Sequence, residues 1–402
     1  MVARTLQSAL LRLASQYPVV TLTGPRQSGK TTLARMCFPE WTYVNLESPA
    51  ERDFATNDPV GFLDRHPANI VLDEIQRAPE LPSYIQGLVD RDPAPGRFVL
   101  TGSHNLALLD SVSQSLAGRT AMLELLPLDI EEVSRFPHPP KDLDAALWTG
   151  GYPRIHELLL DAREWLDAYT ATYLERDVRS LLNIGDLVAF QTFLRVCAGR
   201  VGQLLNLSSL AADCGLSQPT ARRWLSVLEA SFITFRLPPF HANFGKRLIK
   251  TPKLYFHDVG LVSSLLGIEG PRQMATHPLR GPIFECWVVS EMLKLHKHRG
   301  RRPHLFFYQE RGRLEIDMVV ERGADLTLLE AKAGKTLSSA YFAPFPVVEE
   351  RIRRRGDARW RVARKVVVYG GHESQSRSAG EIVAWRDLAA VFAKIVSEGE
   401  GS

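Results

Sequence analysis

The chain has 402 residues, 45% of them hydrophobic and 23% charged, with a formal net charge of +4. Such a length predicts two or three domains with real cores, and so small a net charge does not by itself call for a polyanionic partner. The cysteines, Cys37, Cys197, Cys214 and Cys286, show no CxxC or metal-type spacing and no apolar run reaches the length of a membrane span, which argues against a disulfide framework and a membrane and predicts a cytoplasmic protein.

In chain order, residues 18–24 (PVVTLTG) read as a buried strand that ends in a glycine, and a helix is predicted from Lys30 to about Cys37. Further β-rich runs are Thr42–Leu46, Asn69–Leu72, Arg97–Thr101 and Thr120–Leu126. Strands alternating with helical stretches predict an α/β fold with a parallel sheet, closing near residue 130. A proline-rich linker, 136–140, leads into a helical stretch from Leu143 to about Arg200. Residues 207–230 read as two short helices around a tight turn, and Phe232–Phe256 is β-rich. From about residue 275 a helix is followed by more strands, and 398–402 form a frayed tail.

The first chemical motif is Gly24-Pro25-Arg26-Gln27-Ser28-Gly29-Lys30-Thr31, which fits G-x-x-x-x-G-K-[ST] between a strand and a helix. The glycines let backbone N–H groups surround phosphates, and the helix N-terminus adds its dipole. Lys30 supplies charge to the β- and γ-phosphates, the Thr31 hydroxyl ligates Mg²⁺, and Thr32 completes the cofactor-binding segment. The second motif, Ile70-Val71-Leu72-Asp73-Glu74, delivers two carboxylates at a strand end. Asp73 is expected to hold Mg²⁺ through water and Glu74 to orient the attacking water. In Phe98-Val99-Leu100-Thr101-Gly102-Ser103-His104-Asn105, Ser103 is the candidate sensor of the γ-phosphate, with Asn105 second. Arg119 precedes the last strand and is a candidate arginine finger reaching a neighbouring subunit. That role implies a homo-oligomer, a hexamer being one option; a solvated surface arginine is the alternative. ATP and Mg²⁺ are the expected cofactors.

Several segments, GPRQSGKTTLAR, VNLESPAERDFATNDPVGFL, IVLDEIQRAPEL, FVLTGSHN, LAGRTAMLELLPL, WTGGYPRI, YLERDV and PKLYFHDVGL, resemble bacterial AAA-superfamily ATPases that carry the domain of unknown function 4143. The resemblance covers almost the whole chain. It implies an AAA-like P-loop ATPase core over 1–135, a helical lid over 136–205, a winged-helix domain over 206–274 and a nuclease-like α/β domain over 275–397. The family's task is itself undefined, so function has to be argued from the sites.

In the middle, Ala211 and Gly215 stand four apart, Ser217 is placed to cap the second helix and Pro219 fits its first turn. Gln218, Thr220, Arg222 and Arg223 are then candidate DNA contacts, as in a helix that enters the major groove. Winged helices also serve only to pack against neighbours.

The last region offers Glu285, Asp317, Glu330 and Lys332. Glu285 lies in line with the apolar Val288, Val289 and Met292 on a helix, so it needs a partner. Glu315 and Asp317 share one strand face, as do Glu330 and Lys332. Three carboxylates and a lysine suit Mg²⁺ and phosphodiester chemistry. The order resembles the PD-(D/E)XK nuclease fold, with Ile316-Asp317 in place of the usual Pro-Asp. Simple ion pairing is the plainer reading. Two basic stretches, from Lys294 to His304 and from Arg351 to Lys365, are candidates for phosphate-backbone contact. Together these features predict an ATPase that acts on duplex, forked or junction DNA, the rival being a nucleotide switch whose nuclease-like domain serves docking. No chemistry is assigned to Arg176, Asp177, His257 or Asp258.

Overall fold

A computed structural model of the chain describes residues 2–103, 115–174, 187–240, 251–310, 314–354 and 360–397. Asn105, Arg176, Asp177, Arg355 and Arg359 lie outside them.

Five parallel strands build the first sheet: β1 (Val19–Thr23), β2 (Thr42–Asn45), β3 (Ile70–Asp73), β4 (Phe98–Gly102) and β5 (Thr120–Glu124), in the order β2-β3-β4-β1-β5. Every residue of β1, β3 and β4 is buried, the continuous burial expected when helices cover both faces of a parallel sheet. Helices Gln7–Ala14 and Lys30–Cys37 cover one face, packing Leu10 and Leu33 against Val20, Leu22, Val71 and Val99. On the other face Phe62 and Ile85, from helices Pro59–Arg65 and Leu81–Arg91, meet Val19, Leu72 and Leu100. Val19 and Ile70 both pair with Phe98, so β1, β4 and β3 run level. Their C-terminal ends bring Gly24, Ser103 and the Asp73-Glu74 pair together, at the edge where parallel sheets bind ligands.

The middle region is helical: Leu143–Thr149, Pro153–Leu158, Ala162–Tyr169, Leu187–Gly199, Leu207–Asp213 and Gln218–Ala230. Gly215 takes φ +65° between the last two, a left-handed turn that favours glycine. The Ser217 hydroxyl accepts from Thr220 N at 3.2 Å, and Pro219 lies in the first turn. Trp224 is buried edge-on against Phe190 and Phe193. Strands stand at the two ends of the predicted β-rich stretch, β6 (Thr234–Leu237) and β7 (Lys253–Phe256), paired antiparallel; residues 241–250 lie outside the described residues.

Helices Val259–Leu265, Pro271–Thr276 and the long Arg280–Lys297 lead into a second, mixed sheet. Its strands are β8 (Leu305–Gln309), β9 (Glu315–Arg322), β10 (Asp325–Lys332), β11 (Arg361–Tyr369), β12 (Gln375–Arg377) and β13 (Gly380–Ala384), ordered β12-β13-β11-β10-β9-β8. Helix Pro344–Arg354 packs Phe345 and Val348 on one face, against Ile316, Leu328 and Val367. On the other face, Met292 and Phe392 join Leu329, Val366 and Val383 in a core that continues through Tyr255, Trp224 and Tyr152. The middle helices and this face of the second sheet therefore share one core. Among the described residues no helix is long and apolar enough to cross a membrane.

Candidate functional site

The loop from Gly24 to Thr31 leaves β1 and enters helix Lys30–Cys37. Gly24 has φ +148°, and a Cβ there would fall 2.1 Å from the Leu125 carbonyl oxygen, so no other residue fits. Gly29 takes φ +94° at the helix start, with Arg26 and Gln27 half-buried on the loop and Thr32 exposed on the first turn. Lys30 is buried and its Nζ donates to the carbonyls of Gly24 (3.0 Å) and Pro25 (2.7 Å). The buried Ser28 hydroxyl has no hydrogen-bond partner, an orphan polar atom in the middle of a backbone cradle.

Asp73 is buried at the end of β3. Its Oδ2 accepts from Thr31 Oγ1 at 2.8 Å and from the Tyr43 hydroxyl at 2.6 Å, and its Oδ1 from Thr101 Oγ1. The two residues expected around Mg²⁺, Thr31 and Asp73, are thus in contact. Burial, followed by the hydrogen bond to Asp73, pushes the Tyr43 phenol up, so it stays a donor. Glu74 has φ +58°, a conformation that costs a non-glycine residue about 1–3 kcal/mol and clusters at functional sites. That turn aims its carboxylate at the Ser103 hydroxyl (3.1 Å) and at the Gln76 amide. A hydroxyl, two carboxylates, one ammonium and an orphan serine in a glycine cradle fit a nucleotide's phosphates and a hard divalent cation. Arg119 pairs through Nε and Nη2 with Asp90 of its own chain, half-buried at the rim of the core.

Arg4 braces this loop from behind. It donates to Ser28 O (2.6 Å) and Leu126 O (2.8 Å), and its Nε pairs with Glu132 Oε1 at 3.0 Å. Glu132 is fully buried and faces His298 Nδ1 at 3.3 Å; Asp129 lies 2.8 Å from the same nitrogen. Burial alone would lower His298, but Glu132 and the hydrogen bonds to Asp129 and Glu132 raise it. Burial alone would raise Glu132, and His298 and Arg4 hold it well below the carboxylate range.

Glu285, Asp317, Glu330 and Lys332 stand close enough to act on one another's charge, and further residues lie among them. Burial and Asp317 lift Glu285 to about 7, against the lowering effect of Lys253. Burial and Asp317 likewise lift Glu330 to about 7, against Lys332, whose Nζ lies 2.5 Å from Glu330 Oε2. Asp317 Oδ2 accepts from Ala331 N at 2.8 Å. The partner of Glu285 is a residue not singled out from sequence: Lys253 of β7, 2.8 Å from Glu285 Oε1 and 2.5 Å from Glu315 Oε1. The Tyr255 hydroxyl adds 2.6 Å to Glu285 Oε1. Among the described residues, the acidic and histidine ligand atoms that come within 4.8 Å of one another are those of Asp129, Glu132 and His298. Those of Glu285, Asp317 and Glu330 do not close to that distance, and the residues in this arrangement do not fit a metal ion.

On helix Gln218–Ala230, Gln218, Arg222 and Arg223 are exposed, and Thr220 is half-buried with its hydroxyl 2.8 Å from that of Ser217. The basic stretch from Lys294 to His304 departs from expectation. Lys294 is buried against Glu291, at 2.9 Å, and donates to Leu128 O. Lys297 pairs with Glu124 at 2.8 Å and Arg299 with Glu131 at 2.5 Å. Much of this stretch faces the first sheet's last strand and the helix after it, because the apolar face of helix Arg280–Lys297 is turned into the core. In the described part of the second stretch, Arg353, Arg354 and Arg361 are exposed and Arg364 is half-buried, and acids match them: Arg353 and Arg354 pair with Glu350, Arg361 with Asp325 and Arg364 with Glu381.

A five-stranded parallel sheet, a phosphate loop after β1 and a carboxylate pair after β3, with β4 between them, define a P-loop protein of the AAA type. Comparisons agree. The AAA domain family matches residues 16–134, domain of unknown function 8612 matches 140–272 and domain of unknown function 4143 matches 280–388. Uncharacterized proteins of Mycobacterium tuberculosis (strain H37Rv) and Mycobacterium bovis are each 34% identical over 330 residues, covering 79% of this chain and 71% of theirs. An uncharacterized protein of Methanocaldococcus jannaschii is 22% identical, covering 75% of this chain and 72% of its own. Among solved structures, a Walker-type ATPase of Pyrococcus abyssi is similar at 15% identity and a TM-score of 0.44, over 65% of this chain and 94% of that one. The chain belongs to the same family as the mycobacterial proteins, and in it an AAA domain is joined to a C-terminal domain of unknown function 4143.

Proposed function

We propose that this protein hydrolyses ATP with Mg²⁺ and, as a homo-oligomer, acts on DNA. The observation that carries the first part is the contact of Thr31 with Asp73 beside a buried Lys30, in a loop whose first position has room only for glycine. Lys30 exchanges the carbonyls of Gly24 and Pro25 for phosphate oxygens, and backbone N–H groups from Gly24 to Thr32, around Arg26, Gln27 and Ser28, enclose them. Thr31 and Asp73 would hold Mg²⁺, which would supply positive charge to offset that of the phosphates. Glu74 orients the attacking water, and Ser103, bonded to Glu74, reports the γ-phosphate to it. Arg119 leaves Asp90 to serve a neighbour's site. For DNA, the support is the exposed face of Gln218, Arg222 and Arg223, with Thr220 beside it, on the helix that follows the Gly215 turn, since a second helix after such a turn can enter a major groove.

The test is ATP turnover with and without duplex, forked and four-way-junction DNA at low salt, with the DNA run on a gel. Stimulation by one structure supports the reading and names the substrate. A flat rate without DNA binding overturns the DNA half and leaves the ATPase. A nucleotide switch is the second reading, favoured by the ties of helix Arg280–Lys297 to the ATPase core and by lysines filling the carboxylate cluster. Slow turnover with tight ADP retention would distinguish it.

A further inference from the structure

The carboxylate cluster sits where two parts of the chain meet. Glu285, Glu315, Asp317, Glu330 and Lys332 come from the helix and strands of the C-terminal domain, whereas Lys253 and Tyr255 come from β7 of the middle region. Lys253 is 3% exposed. A lysine is rarely so buried unless it is paired, because losing water costs several kcal/mol per charge. Its ammonium bridges Glu285 and Glu315, lies over the Phe307 ring at 5.5 Å, and is held in place by a strand whose neighbour Leu254 exchanges hydrogen bonds with Gly202 and Gln203. Lys332 neutralises the other end of the cluster through Glu330.

We propose that Lys253 is the resident cation of this cluster: it occupies the place that a divalent metal would take and fastens the β6–β7 pair onto the C-terminal domain, so the site is closed to metal while β7 is seated. The inference rests on reading Glu285, Asp317 and Glu330 as a set of oxygen ligands. It assigns that set a protein cation rather than Mg²⁺ in this arrangement.

The experiment is Mn²⁺ titration of the full chain, followed by electron paramagnetic resonance and by thermal unfolding, for wild type and Lys253→Met, each with and without Asp317→Asn. The Asp317 background separates this cluster from Mn²⁺ bound at Thr31 and Asp73. Wild type is expected to bind no Asp317-dependent Mn²⁺. Lys253→Met is expected to melt lower than wild type, to gain one Asp317-dependent Mn²⁺ at least tenfold tighter than any in wild type, and to recover melting temperature as Mn²⁺ is added. An Asp317-dependent Mn²⁺ already present in wild type overturns the lock and leaves the ligand set standing. Absence of any such site in Lys253→Met overturns the ligand set itself. Should Lys253→Met fail to fold by circular dichroism, Glu315→Gln, which frees one arm of Lys253 from a half-exposed carboxylate, decides in its place: an Asp317-dependent gain in Mn²⁺ affinity supports the lock, and no gain overturns it.

Discussion

Replacing Arg4 by methionine keeps the buried stem and removes the guanidinium that faces Ser28 O, Leu126 O and Glu132. Glu132 is fully buried, and stripping one partner from a buried ion pair costs about 3–5 kcal/mol. His298 remains beside Glu132 at 3.3 Å, which moves the expected loss towards the lower end of that range. The two carbonyls lose hydrogen bonds worth about 1 kcal/mol each. The predicted destabilisation is therefore about 3–5 kcal/mol overall, with a second effect that packing alone would not produce. Ser28 sits in the phosphate loop, so ATP affinity should fall as well, and the stabilisation given by saturating ATP should shrink relative to wild type. Arg4→Lys keeps the charge but not the fork, and should recover part of the stability and less of the affinity. Urea unfolding followed by tryptophan fluorescence, with and without ATP, measures both. An Arg4→Met protein within about 1 kcal/mol of wild type, or one with unchanged ATP affinity, would refute this role for Arg4.

Gly24→Ala puts a Cβ 2.1 Å from a backbone oxygen and should abolish ATP binding, read by fluorescent-nucleotide titration. Tyr43→Phe takes one of three donors from Asp73 and should raise the KM for Mg·ATP by up to about tenfold with little change in fold. The buried pair of Glu132 and His298 predicts a pH window. Glu132, held below its ordinary 4.5, contributes stability above that value and loses it as pH falls. His298, raised above its ordinary 6.5, contributes fully below that value and loses it as pH rises. The stability gap between wild type and His298→Asn should therefore be widest between about pH 4.5 and 6.5 and narrow on both sides in unfolding measured across pH. Mixing Arg119→Ala with Lys30→Ala subunits should restore turnover that neither has alone; no restoration would remove Arg119 from the neighbour's site.

The phosphate-loop half of the fold was legible because its signals are local. A strand, a glycine loop and a helix start are contiguous from Val19 to Cys37, and the apolar run before Asp73 and Glu74 marks its own strand. Tyr43 and Thr101 were not legible as Asp73 partners, since their contacts cross between strands whose order is a tertiary property. Lys253 left a trace, a lysine inside the apolar run Pro252-Lys253-Leu254-Tyr255-Phe256, but a lone lysine in a strand does not reveal what it faces. The basic stretch after Lys294 misled for the opposite reason. Its charges are real, yet helix Arg280–Lys297 carries Glu291 and Lys294 inward as an i,i+3 pair, and charge runs alone do not say which side of a helix packs.

ATP turnover by wild type, Lys30→Ala and Glu74→Gln in Mg²⁺, measured beside ATP binding, tests the assignment most directly. Wild type should hydrolyse ATP, Lys30→Ala should neither bind nor hydrolyse it, and Glu74→Gln should bind ATP as wild type does and fail to turn it over. Turnover by Lys30→Ala or Glu74→Gln at the wild-type rate would contradict it.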